Sequence, residues 1–143
     1  MVGLVGRQTG LAHLFVAETV DADTLQGFIE RMTRPGVTLF SDEWGGYARV
    51  AASGRAHQTC CHTPGAREWA WDADGDGINE VHNNTCEGLW QGLRNFLRPF
   101  RGVSKWFLDE YVGIFQWIHT LKAVSTDFLR ALFGLRLTTN LGP

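Results

Sequence analysis

The stretch GLAHLFVAETVDADTLQGFIERMTRPGVTLFSDEW, Gly10 to Trp44, decides the fold class because its hydrophobic period changes twice. Leu11 to Val16 is a mostly apolar run of strand length. Leu25, Phe28, Ile29 and Met32 then recur at i, i+3, i+4 and i+7, the spacing of one helix face. Asp21 or Asp23 is placed to cap, so Ala22 to Thr33 is expected to be an amphipathic helix. Pro35 and Gly36 break it, and Val37 to Ser41 is a short β-rich run that delivers Asp42, Glu43 and Trp44 at its end. Strand, helix and strand in this order put an acid at a strand's C-terminal edge, where α/β proteins place ligands.

Upstream, Met1 to Val5 reads as a hairpin partner for Leu11 to Val16 through a Gly6 to Gly10 turn. Downstream, a short helix is expected over Gly45 to Ala52, a strand over His57 to His62, and a polar, Gly- and Asp-rich loop over Thr63 to Val81. The rest reads helical. Cys86, Leu89, Trp90, Leu93, Phe96 and Leu97 follow helical spacing from Asn83 to Arg98, where Pro99 stops the run. The opposite stripe carries Asn84, Glu87, Gln91, Arg94 and Arg98 on one face. Ser104 is expected to cap a longer helix whose core stripe is Phe107, Tyr111, Ile114, Phe115, Ile118 and Leu121, and a last short helix is expected from Thr126 to Phe133.

With 143 residues, of which 44% are hydrophobic and 20% charged, the chain has room for one ordinary domain and is not disordered in composition. No apolar run approaches the ~18 residues of a membrane span. The N-terminus lacks the features of a signal peptide, so the expected compartment is the cytoplasm, where Cys60, Cys61 and Cys86 would be reduced thiols. The net charge of −2 hides an asymmetry: six basic against eleven acidic residues through Glu80, then seven against four from Val81 onward. Between Gly88 and Leu108 there is no acid, while Arg94, Arg98, Arg101 and Lys105 fall among Trp90, Phe96, Phe100 and Trp106. Such a strip suits phosphate contact whatever the total charge, though a solvated helix face has the same composition.

Three groups of residues carry possible chemistry. Asp42 and Glu87 could converge on a divalent cation if the Asn83 helix packs across the end of the Val37 to Ser41 strand. Hard cations want carboxylate oxygens, although two acids so far apart in sequence are most often surface groups. Asp72, Asp74, Asp76 and Gly77 open like a calcium loop, but the position for its bidentate carboxylate is Asn83, so an acidic turn is preferred. His57, Cys60, Cys61, His62, His82 and Cys86 suit zinc by type but not by spacing, and Cys86 reads more simply as a small core residue.

Three blocks together resemble a known family: SDEWGGY at Ser41 to Tyr47, the H-x-T-x-x-H segment at His57 to His62, and HNNTCEGLWQGLRNFLRPFRGVSKWFLDEY at His82 to Tyr111. They are similar to the catalytic domain of insertion-sequence DDE transposases of the ISXO type, over about Val2 to Phe133. The resemblance implies an α/β, RNase H-like mixed sheet flanked by helices, with a helical C-terminal part. It divides the chain into a catalytic domain over residues 1–134 and a tail over 135–143.

It implies DNA cleavage and strand transfer at transposon ends with Mg²⁺ or Mn²⁺, with no membrane role. Asp42 and Glu87 would be catalytic metal ligands and Asn84 an auxiliary catalytic residue. Arg94 stands where the family usually has a lysine; with Arg98, Arg101 and Lys105 it would contact DNA. His62 and His82 would have a structural or a substrate-positioning part, and Cys61 replaces the family's usual Asn. The family's first catalytic aspartate has no counterpart here, since Met1 to Gly10 contains no acid. The expectation is therefore a truncated, inactive copy lacking the first strand of its sheet, which leaves enzyme status open. The alternative is a non-enzymatic remnant that binds DNA or pairs with itself or a full-length transposase.

Overall fold

The computed structural model describes residues 1–61, 63, 65, 69–121, 129, 130, 133 and 134. The chain opens with β1 (Val2–Val5) and β2 (Ala12–Phe15), an antiparallel hairpin in the register Val2 to Phe15 and Val5 to Ala12. Side chains alternate across a strand, so each face of this hairpin needs its own cover. On one face Val2 and Leu4 join Leu25 and Phe28 of α1 (Ala22–Met32), and Phe15 stacks on Phe28 with ring centroids 5.9 Å apart. On the other, Val5, Ala12 and Leu14 join Leu89 and Leu93 of α2 (Asn84–Leu97) and Val112 and Phe115 of α3 (Leu108–Thr120). The hairpin is the middle layer of a helix–strand–helix sandwich. A Cβ on Gly3 would lie 2.9 Å from both Leu14 Cδ2 and Trp90 Cζ2, so only hydrogen fits where α2 crosses β1.

The helix α1 forms as its pattern predicts. Asp21 is the cap: it accepts from the Thr24 amide at 2.8 Å and from Thr19 Oγ1 at 2.9 Å. The Thr24 hydrogen bonds, with that from Thr19, hold its carboxyl below the ordinary range. At the C-terminal end Arg55 is 5% exposed. Its guanidinium donates to Thr33 Oγ1 and the Thr33 carbonyl, both at 2.7 Å, and to the Ser53 carbonyl at 3.0 Å.

Strands β3 (Thr38–Asp42) and β4 (Ala56–Cys60) pair in parallel, Leu39 opposite His57 and Asp42 opposite Cys60. Two 3-10 turns, Gly45–Tyr47 and Ala51–Ser53, connect them where one short helix was expected. The Thr63 to Val81 segment is not wholly loop. Ala70–Trp71 (β5) and Val81–His82 (β6) form a short antiparallel ladder that brings the polar segment back to α2. Two residues per strand carry too little periodicity to read. Parallel and antiparallel pairing are thus both present in an α/β fold, as three two-stranded ladders among the described residues.

The helix α2 ends as expected, Pro99 forcing a 3-10 turn over Arg98–Phe100. The start and the face of α3 differ from expectation. Ser104 closes a turn by accepting from the Phe107 amide at 3.0 Å through its carbonyl, and α3 begins after Phe107 without a side-chain cap. Val112 and Phe115 are buried, whereas Phe107, Ile114 and Ile118, three members of the expected stripe, are half or more exposed. The Leu14 amide fixes this rotation by donating to Gln116 Oε1 at 2.6 Å, a tertiary bond that hydrophobic spacing cannot reveal. The Thr126 to Phe133 helix lies largely, and the 135–143 tail wholly, outside the described residues.

Candidate active site

Asp42 ends β3, half-buried, with Oδ1 accepting from the Trp44 amide at 3.2 Å. The chain turns sharply here. A Cβ on Gly46 would lie 2.1 Å from the Trp44 ring, so glycine lets that indole fold over the turn and meet Tyr47 edge-on. Beside Asp42, Ser41 Oγ is 2.8 Å from His57 Nε2 and donates to the Asp42 carbonyl at 2.7 Å. Burial holds His57 below its ordinary pKa. Tyr47 is pushed up to about 12, mainly by burial and further by Asp42 and Cys86.

Glu87 stands in the first turn of α2, where the helix dipole favours a carboxylate. Cys60 on β4 and Cys86 on α2 feel its charge and that of Asp42. Burial pushes both thiols up; at Cys86 the Arg7 charge opposes it, and the charges of Asp42 and Glu87 add smaller upward pushes at both. Asp42 itself lines one cavity with Asn83 and Cys86 from the start of α2. Asn84, Glu87, Gln91, Arg94 and Arg98 are all exposed on α2, and the fourteen-residue helix spaces its ends about 20 Å apart.

The basic strip continues past the helix. Arg101 takes a left-handed conformation, φ 53°, and Lys105 Nζ lies 4.7 Å from the Trp106 ring centroid. Arg94, Arg98, Arg101 and Lys105 are exposed and make no ion pair with a carboxylate among the described residues. The interleaved aromatics divide. Phe96 packs against the core, Phe100 stays partly exposed with its ring 5.7 Å from Phe96 and 4.7 Å from Tyr111, and Trp106 is 79% exposed.

The histidines separate too. His82, on β6, has Nδ1 buried without a partner, while its carbonyl accepts from Arg7. His62 lies outside the described residues.

In donor type, Asp42 and Glu87 fit a hard divalent cation, with the Asn84 amide as a further oxygen. Three acidic ligand atoms within 4.8 Å of one another occur elsewhere, at Asp72, Asp74 and Glu80. Asp72 is held below its ordinary pKa by the Gly77 and Gly75 amides it accepts, at 2.7 and 2.6 Å. Glu80 Oε1 accepts from the Ala73 amide at 2.8 Å. The acidic turn expected over Asp72 to Gly77 is present, and the third carboxylate beside Asp72 and Asp74 is Glu80.

An acid at a parallel strand end, a second acid in the first turn of α2 and an exposed cationic strip beyond it thus lie in one α/β chain. The chain belongs to the family of ISXO2-like transposase domains, which matches residues 1–119. It is also similar to a protein described as an uncharacterized protein in the transposable element ISH50 of Halobacterium salinarum, 28% identical over 114 residues. That match covers 79% of this chain and 36% of the relative, so the chain spans little more than a third of the relative's length. No solved structure matches it.

Proposed function

We propose that this chain is the RNase H-like part of a DNA transposase, with Asp42 and Glu87 as catalytic metal ligands and Asn84 as an auxiliary oxygen donor. What carries the reading is that Asp42, at the end of β3, lines one cavity with Asn83 and Cys86 from the start of α2, whose exposed face bears Glu87, Arg94 and Arg98, in a chain of the transposase-domain family. Mg²⁺ or Mn²⁺ held there supplies Lewis-acid activation and charge neutralisation for phosphodiester hydrolysis and transesterification. Arg94, Arg98, Arg101 and Lys105 hold the DNA phosphates of transposon ends along α2 and the turn after it, each guanidinium able to fork onto two oxygens. His82 orients substrate from the start of α2, and His62 is assigned the same role.

Two carboxylates are a short ligand set for two ions, so residues 1–143 alone bind DNA without cutting it. Pairing with another transposase copy is the second role we assign to this chain. The test is a duplex strand-cleavage assay with Mn²⁺, run beside a salt titration of binding. We expect salt-dependent binding and no cleavage, with Arg94→Ala and Arg98→Ala each lowering the slope of log affinity against log salt by about 1. Cutting that Asp42→Ala abolishes would overturn the inactivity, and binding indifferent to salt would overturn the phosphate role.

A further inference from the structure

Beyond α2 the chain reverses through Arg101, the one non-glycine residue with a positive φ among those described, and Gly102, φ 128°. A left-handed arginine persists only where its surroundings fix it, and such strain gathers where a chain presents a ligand site. Here the backbone is fixed twice. The Arg101 amide donates to the Arg98 carbonyl at 3.2 Å, and Ser104 then holds the next turn, its carbonyl accepting from the Phe107 amide at 3.0 Å and its Oγ from the Trp106 amide at 3.4 Å.

What this ordered turn carries outward is Trp106, more exposed than any other large hydrophobic side chain among the described residues. Lys105 Nζ stands over one face of the indole, a cation–π contact, and the exposure of the ring leaves its other face open. The charges around it have a direction. Arg94, Arg98, Arg101 and Lys105 precede the indole, and Asp109 and Glu110 follow it, exposed in the first turn of α3. A row of phosphates is therefore attracted along α2 as far as Lys105 and repelled beyond Trp106, so the indole marks the place where a polyanionic track ends. A nucleic-acid base is flat and uncharged and always has a π face, so it can sit where a further phosphate cannot.

We propose that Trp106 is the stacking platform for the unpaired terminal base of a DNA strand whose phosphates lie on Arg94, Arg98 and Arg101. This deepens the phosphate role given above and rests on it. The open face of the indole stacks on the base, and Lys105 holds the indole from its other side. The fourteen-residue α2 separates the first turn, with Glu87, from this end by about 20 Å. At about 3.4 Å per nucleotide the stacked base lies about six nucleotides from the carboxylates, so it is not the base at a phosphate held by Asp42 and Glu87.

The test measures the affinity of the full chain for three probes at one salt concentration: a blunt duplex, the same duplex with a single-stranded extension of three thymidines, and that extension with abasic sugars in place of its bases. The two extended probes carry equal charge and differ only in the bases. The thymidine extension should bind about 5- to 100-fold more tightly than the abasic one. Trp106→Leu should erase that difference while binding the blunt duplex as the parent does, which also shows that the variant folds, and Trp106→Phe, which keeps a ring, should retain most of it. Two outcomes overturn the proposal directly: an abasic extension bound as well as the thymidine one, or a base preference that survives Trp106→Leu. Equal weakening of all three probes by Trp106→Leu overturns it as well, because the indole then meets the duplex and not an unpaired base. Salt-dependent binding without a base preference removes the stacking site alone, whereas no binding to any probe removes the phosphate reading with it.

Discussion

The hairpin and the parallel pair are both two-stranded ladders, but they differ in strand direction and in chemistry. In β1 and β2 the residues are VGLV and AHLF, covered by α1 on one face and by α2 and α3 on the other. In β3 and β4 they are TLFSD and AHQTC, and they carry Asp42, the Ser41 to His57 contact and the buried Cys60 thiol. The hairpin is held by burial of apolar area, and the parallel pair is anchored by directed polar bonds, above all those of Arg55. A ladder that must present an acid at its end cannot also be apolar throughout, so the scaffold and the site fall on different halves.

Phe28→Ala attacks the hairpin half most directly. Phe28 is 1% exposed and stacks on Phe15, so its removal should cost about 3–5 kcal/mol in chemical denaturation. A loss under about 1 kcal/mol would mean that burial does not hold this half. Arg55→Ala strikes the other half more gently. It strands the Thr33 and Ser53 carbonyls and should cost about 1–3 kcal/mol. Arg55→Lys should recover only part of that, because an ammonium cannot fork onto the Thr33 carbonyl and hydroxyl together. Full rescue by lysine would show that charge at the α1 terminus matters and geometry does not.

The same comparison explains what the sequence could reveal. Elements built on one repeated period were legible: α1 from Leu25, Phe28, Ile29 and Met32, α2 from its paired apolar and polar stripes, and the hairpin from two apolar runs around glycines. What depended on a single tertiary bond was not. Gln116 receiving the Leu14 amide turns α3 away from the face its hydrophobic spacing marks, and Trp71 donating to the Thr59 carbonyl at 3.1 Å anchors a ladder too short to have a period. In the site, Asp42 and Glu87 were findable as residues, since one ends a strand and the other opens a helix. How the start of α2 sits against the end of β3, with Asn83 and Cys86 lining a cavity beside Asp42, was not, because it depends on helix packing and not on any local period.

His57 offers a smaller effect with a defined sign. Burial lowers its pKa from the ordinary 6.5, so the folded chain prefers the neutral ring. The unfolded chain then takes up the proton first, and the stability contributed is complete above about pH 6.5 and lost as pH falls through the acid side. His57→Gln, whose amide N–H can still donate to Ser41 Oγ, should flatten part of the decline of Tm below that pH. His82, lowered by burial and by Arg7, supplies another part. An unchanged acid limb in the variant would place the titration elsewhere.

The smallest expected effect draws the sharpest line between the halves. Asp42→Asn retains the Oδ1 that accepts the Trp44 amide and removes only the charge. That charge raises the pKa of Tyr47, Cys60 and Cys86, which are neutral at pH 7 either way, so their protonation contributes no penalty to its loss. Unfolding stability should stay within about 0.5 kcal/mol of the parent, the range of an ordinary surface change. A loss of several times that size would make Asp42 a structural anchor of β3 and dissolve the distinction between the two ladders. Stability held constant while divalent-ion affinity falls, read by titration calorimetry, would place Asp42 among groups the fold positions but does not need.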